Sequence, residues 1–126
     1  MKKTVLIIDD DPVLRFLIRK LILLVDPLVV CIDCKDGEQG LSNLNTLQNT
    51  AGSIFILLDI NMPVLDGWGF LDGLQSFSPD IINRVHLYMV TSSTDESDIV
   101  RAKEYPVIKS FYHKPLSKDD IKLILT

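Results

Sequence analysis

Cysteine is scarce in this sequence of 126 residues, and what little there is argues against thiol chemistry. Cys31 and Cys34 stand in "LVVCIDCK", a C-x-x-C spacing, but the flanks read as a strand, whose side chains point to alternate faces. A thiol oxidoreductase places that spacing at a helix N-terminus, and no histidine or further cysteine lies nearby to complete a zinc site, so two buried thiols are expected. Glycine and proline number six each, and no linker, repeat or low-complexity tract breaks the chain. Basic residues are in the minority: 13 Lys and Arg against 17 Asp and Glu give a net charge of −4, whereas a nucleic-acid surface carries a basic patch. No apolar run approaches the roughly 18 residues of a membrane helix. The opening "MKKTVLII" begins like a secretion signal, but its short apolar stretch runs straight into aspartates. The expectations are a cytoplasmic protein, no membrane association and no direct nucleic-acid binding.

What is present is alternation. At 47% hydrophobic and 24% charged, residues 1–126 read as one globular domain able to bury a substantial core. "TVLIID" is a strand, and Asp11 caps the helix that follows, with Pro12 at its first position. That helix, Pro12 to Val25, carries Leu14, Leu17, Ile18, Leu21, Leu24 and Val25 on one arc, which predicts its buried face. "LVVCIDC", "IFILLD", "VHLYMVTS" and "IKSFYH" read as four further strands. Between them lie helical stretches in "DGEQGLSNLNTLQ" and "WGFLDGLQSF", and a fourth helix opened by a Ser93–Glu96 capping box and stopped by Pro106. A fifth helix starts at Ser117 and Asp120, with Ile121, Ile124 and Leu125 inward. Such β-α alternation implies an α/β fold, a five-stranded parallel sheet covered by helices on both faces.

Open parallel sheets form their sites beyond the carboxyl ends of the strands. There the sequence supplies Asp9, Asp10 and Asp11 after the first strand, Asp59 after the third, Thr91 with Ser92 and Ser93 after the fourth, and Lys114–Pro115 after the fifth. Taken singly, each has a bland reading: a helix cap, a turn residue, a surface lysine. Together they gather carboxylates, a hydroxyl and an ammonium at one edge. Several close carboxylates repel unless one is protonated or a cation joins them. Mg²⁺, or Mn²⁺, takes one or two carboxylates with waters and phosphate oxygens. Asp59 then reads as a nucleophile toward phosphorus, with Lys114 and Thr91 supplying a charge and a hydroxyl to the phosphoryl oxygens.

The motifs "LIIDDDP", "LLDINMPVLDGWGFL", "MVTS" and "HKP" resemble those of the receiver domains of two-component response regulators, over nearly the whole chain. The resemblance implies a doubly wound sheet in the order 2-1-3-4-5. It implies that Asp59 accepts the phosphoryl group, that Asp10 binds Mg²⁺ directly and Asp9 through water, and that Asn61 gives its backbone carbonyl. It further implies that Thr91 and Lys114 contact the phosphoryl group, that the Lys114–Pro115 bond is cis, and that Phe111 is the aromatic switch. The phosphoryl donor would be a sensor histidine kinase or a histidine phosphotransfer protein. Phosphorylation would repack the face of the fourth helix, fifth strand and fifth helix for an unnamed downstream partner, with dimerisation as a further option. Asn61 and Ser93 occupy positions that influence phosphoryl lifetime in the family, Ser92 leaves access to Asp59, and Asp11 adds a third carboxylate to the usual pair.

Two other functions compete. One is an interaction module with this fold that acts without phosphorylation, against which the intact Asp10, Asp59, Thr91 and Lys114 argue. The other is a Mg²⁺-dependent phosphatase of the haloacid dehalogenase type, which needs a second carboxylate two residues after the nucleophile, where this chain has Asn61. No turnover of an external substrate is therefore expected beyond the chain's own phosphorylation and dephosphorylation. One feature lies outside the motifs: Phe16 and Leu23, about 160° from the centre of the first helix's apolar arc, form a candidate partner surface beside Arg19 and Lys20. The chain reads as either a stand-alone receiver or a piece of a longer regulator.

Overall fold

The structure, a computed structural model, describes residues 2–92 and 95–126. Five strands, β1 (Lys3–Ile8), β2 (Val30–Cys34), β3 (Ser53–Leu58), β4 (Val85–Thr91) and β5 (Ile108–His113), form one parallel sheet in the order β2-β1-β3-β4-β5. The three strands richest in buried apolar residues, β1, β3 and β4, occupy its centre, where helices cover both faces. The edge strands β2 and β5 carry the polar and half-exposed positions.

The helices are α1 (Pro12–Val25), α2 (Gly37–Thr46), α3 (Gly67–Leu74), α4 (Pro79–Ile82), α5 (Glu96–Ala102) and α6 (Lys118–Leu125). α4 is a single turn begun by Pro79 that the sequence reading did not anticipate, so the expected fourth and fifth helices are α5 and α6. Leu6, Ile8, Ile56, Leu58, Leu87 and Met89 pack beneath α2, α3 and α5, while Val5, Ile7, Leu57 and Val90 pack beneath α1 and α6. Each such side chain is fully buried, a gain of about 1.5–3 kcal/mol apiece. Cys31 and Cys34 face opposite layers, as strand alternation requires, and burial pushes both thiols up, Cys34 to about 11. Both are free thiols; Cys34 is buried as expected, whereas Cys31, on the edge strand, is only half-buried.

Asp11 caps α1 as expected, accepting from the Val13 and Leu14 N–H groups at 2.9 and 3.3 Å. The rotation of α1 differs from the expected one. Ile18 and Ile22 seat it on the sheet, whereas Leu17 and Leu24 are 52% and 68% exposed. Apolar residues occupy most of this helix's circumference, so periodicity alone does not select the buried side. The Ser117–Asp120 capping box of α6 forms in both directions. Ser93, assigned to a cap on α5, lies outside the described residues, and the N-cap is Asp95, which accepts from the Ser97 N–H.

Candidate functional site

Asp9 and Asp59 each stand one residue beyond a strand, and their backbones still continue the ladder: Asp9 N–H donates to Cys34 O (3.0 Å) and Asp59 N–H to Ile8 O (2.9 Å). That pairing fixes the two carboxylates side by side at the carboxyl edge of the sheet. Both are buried. Asp59 Oδ1 accepts from the Ile60 N–H (2.9 Å), and Asp59 Oδ2 faces the Lys114 ammonium at 3.4 Å. The same ammonium stands 2.7 Å from Asp9 Oδ2, and Asp9 Oδ1 accepts from the Asp11 N–H (2.9 Å).

Electrostatics follow from that geometry. Burial, then the charge of Asp9, raises the Asp59 pKa to about 6, with Lys114 and the Ile60 N–H pulling the other way. Burial also works against the Lys114 charge, but its hydrogen bond to Asp9 and the two carboxylate charges outweigh that and hold its pKa above the ordinary lysine value. Negative charge remains under-compensated at Asp59.

Asp9, Asp10 and Asp59 bring ligand oxygens within 4.8 Å of one another, with Asp10 exposed at the mouth. Asp9 Oδ2 is buried, and the Lys114 ammonium, which it shares with Asp59, is the neighbour that offsets its charge. An all-oxygen donor set, two buried carboxylates sharing one ammonium and an open side for water fit a hard divalent cation such as Mg²⁺ or Mn²⁺.

Thr91, at the end of β4, is buried next to β3, and its carbonyl accepts the Lys114 N–H (3.0 Å). Lys114–Pro115 is cis. Asn61 is exposed in the loop after Asp59. In that loop the Leu65 N–H reaches back to Pro63 O (2.8 Å), closing a three-residue turn at Val64, whose φ of 69° is strained for a β-branched residue. Gly67 must lack a side chain: a Cβ there would stand 2.5 Å from the Asp59 carbonyl oxygen. Phe111 is half-buried on β5 and lines the groove beside α5. Phe16 and Leu23 are exposed on α1, outside this cluster.

One contributor escaped sequence reading. Arg15 donates to the Asp9 carbonyl (2.6 Å) and lies 3.6 Å from Asp33 Oδ2, bracing the acidic turn against β2. Its only signal was an arginine on the first turn after an acidic run, which is too common to single out.

The sequence profile of the response regulator receiver domain matches residues 5–126. The chain belongs to the response regulator receiver domain family. This receiver is 35% identical over 99 residues to the nitrate/nitrite response regulator protein NarL of Escherichia coli K12, covering 79% of this chain and 42% of that protein. It is 29% identical over 122 residues to the probable C4-dicarboxylate response regulator DctR of Halalkalibacterium halodurans, covering 97% of this chain and 49% of that one. The receiver thus spans about half the length, or less, of these relatives. A two-component response regulator from Cytophaga hutchinsonii superimposes with a TM-score of 0.85 at 26% identity, over 99% of this chain and 96% of the other. No described helix of the receiver is long and apolar enough to cross a membrane.

Proposed function

We propose that Asp59 accepts a phosphoryl group from the phosphohistidine of a sensor kinase or histidine phosphotransfer protein, and that the resulting acyl phosphate switches partner binding on the α5–β5–α6 face. One observation carries the reading: a buried carboxylate beside a second buried carboxylate, with one oxygen held by the Ile60 N–H and the other turned toward Lys114. Mg²⁺ or Mn²⁺, held by Asp10 and Asp59, by Asp9 through water and by the Asn61 carbonyl, would neutralise charge on the incoming phosphoryl oxygens. The chain's own groups do the rest. Asp59 Oδ2 forms the new P–O bond, the donor's P–N bond breaks, and its electron pair leaves with the imidazole, which takes a proton. Lys114 leaves Asp59 for a phosphoryl oxygen, which conserves its charge pairing, and Thr91 offers a hydroxyl to another. Displacement of Thr91 then lets Phe111 turn inward, shifting an existing equilibrium.

The test is intact mass after incubation with acetyl phosphate and Mg²⁺, beside an Asp59→Asn control. The expected result is a gain of one phosphoryl group that requires Mg²⁺ and is absent from the variant. No gain in the wild type would favour an interaction module that works without phosphorylation.

A further inference from the structure

α5 has little to hold it down. It is seven residues long, Ala102 is its one buried residue, and Ile99 and Val100 are 49% and 63% exposed. Its last turn, with the short turn that follows it, is instead fastened to α3 by three side-chain contacts. The Arg101 guanidinium lies 4.6 Å from the centre of the Trp68 ring, the Tyr105 ring stands 5.7 Å from the same indole, and the Tyr105 hydroxyl donates to Asp72 Oδ1 at 2.8 Å. Trp68 and Asp72 are one helical turn apart on α3, whereas Arg101 is on α5 and Tyr105 stands three residues past its end, tied back to it by the Tyr105 N–H donating to Ala102 O (3.0 Å).

The two ends of this clasp connect to the two sides of the acceptor site. α3 starts directly on the acceptor segment: the Gly67 N–H donates to Ile60 O (2.8 Å), and Gly67 leaves no room for a side chain against Asp59. α5 begins five residues after Thr91. Tyr105 also has somewhere to go. It borders an apolar cavity of about 370 Å³ lined by Leu71, Leu74, Phe77, Ile82 and Val107, and on its other side the groove of Ile99, Ala102 and Phe111. Tyr105 is itself buried at the edge of the core, between these two spaces.

We propose that Arg101 and Tyr105 clasp α5 to Trp68 and Asp72 of α3, and that this clasp opposes the movement of α5 that follows phosphorylation of Asp59. The inference rests on the acceptor reading above. Tyr105, Arg101 and Asp72 are positioning residues, since none touches the reacting atoms. Contacts bias a two-state switch only if they differ between the states, so the clasp must be weakened in the phosphorylated form.

The experiment titrates beryllofluoride, a phosphoryl mimic, into the Mg²⁺-loaded protein with Trp68 emission as readout, and measures labelling by acetyl phosphate by mass in parallel. Tyr105→Phe and Asp72→Ala remove one hydrogen bond from its two ends and leave the core intact. Each should lower the half-saturating beryllofluoride concentration roughly fivefold and speed labelling correspondingly. The double variant should go no further than either single one, because both remove one interaction. Wild-type half-saturation in both single variants, or additive effects in the double variant, would overturn the clasp while the acceptor reading stands. A wild type that behaves like Asp59→Asn in both assays would overturn the acceptor reading and the clasp's role with it.

Discussion

Asp59 is buried beside Asp9, and its pKa of about 6 against an ordinary 3.8 means that the folded protein holds this proton more tightly than the unfolded chain does. The sign of the linkage follows. The group's contribution to stability is fully present below about pH 4 and is lost as pH rises through about 6, so the ionised carboxylate strains the fold at neutral pH. The shift is worth about 3 kcal/mol at face value, and solvent at the open mouth of the site screens part of it. In metal-free buffer Asp59→Asn should therefore be more stable than wild type by on the order of 2 kcal/mol near pH 7. The gap should close as the pH falls from about 6 to about 4. Urea denaturation with a chelator present measures it, and a gap that stays constant with pH would mean that the Asp59 charge is relieved in some other way. Asp59 itself was legible in the sequence because a carboxylate ending an apolar strand needs a partner. That Lys114 pairs it through 3.4 Å while sitting closer to Asp9 was not, because that is a matter of side-chain reach across three strands.

α1 separates what a pattern specifies from what it leaves open. Its start was readable from Asp11 and Pro12, because capping is local chemistry, and its expected extent to about Val25 matches the helix found. Its rotation was not, because Ile22 and the leucines surround the helix and only the sheet decides which of them are buried. The outcome is an exposed apolar stripe of Val13, Phe16, Leu17 and Leu24, flanked by Leu23, with the Lys20 ammonium 5.2 Å from the centre of the Phe16 ring. This stripe is broader than the Phe16–Leu23 pair that the sequence singled out, and it starts next to the acidic turn. If it receives the phosphodonor protein, the double variant Phe16→Ala, Leu23→Ala should transfer phosphoryl from a phosphohistidine protein several-fold more slowly. Its labelling by acetyl phosphate should match wild type, and its stability should change by only about 0.5 kcal/mol, as for other exposed positions. Equal rates with the protein donor would remove α1 from the docking surface. α5 gives the opposite lesson. Its sequence reads as a capped helix stopped by Pro106, but what fastens it, Arg101 and Tyr105 against Trp68 and Asp72, joins residues some 33 positions apart and leaves no periodic trace.

For the whole molecule, the doubly wound sheet collects the loops after β1, β3, β4 and β5 at one edge; the parallel sheet was legible in the β-α alternation and the apolar strands, while the strand order came from the receiver resemblance. Asp9, Asp10 and Asp59 come together only when β1 and β3 are paired in register, Ile8 opposite Leu58. The unfolded chain has no such cluster, so a cation bound there stabilises the entire fold by linkage. At a free Mg²⁺ concentration a hundredfold above its Kd the gain is about 2.7 kcal/mol, which for a domain of this size raises Tm by roughly 10 °C. Asp10 is exposed, so Asp10→Ala should leave the metal-free Tm nearly unchanged while abolishing most of the Mg²⁺-dependent rise. Thermal unfolding in a Mg²⁺ series, with sodium chloride matched for ionic strength, separates site binding from general screening. Equal rises in wild type and Asp10→Ala would take Asp10 out of the ligand set. A rise reproduced by sodium chloride would mean that repulsion among the carboxylates is screened by salt rather than bridged by a metal.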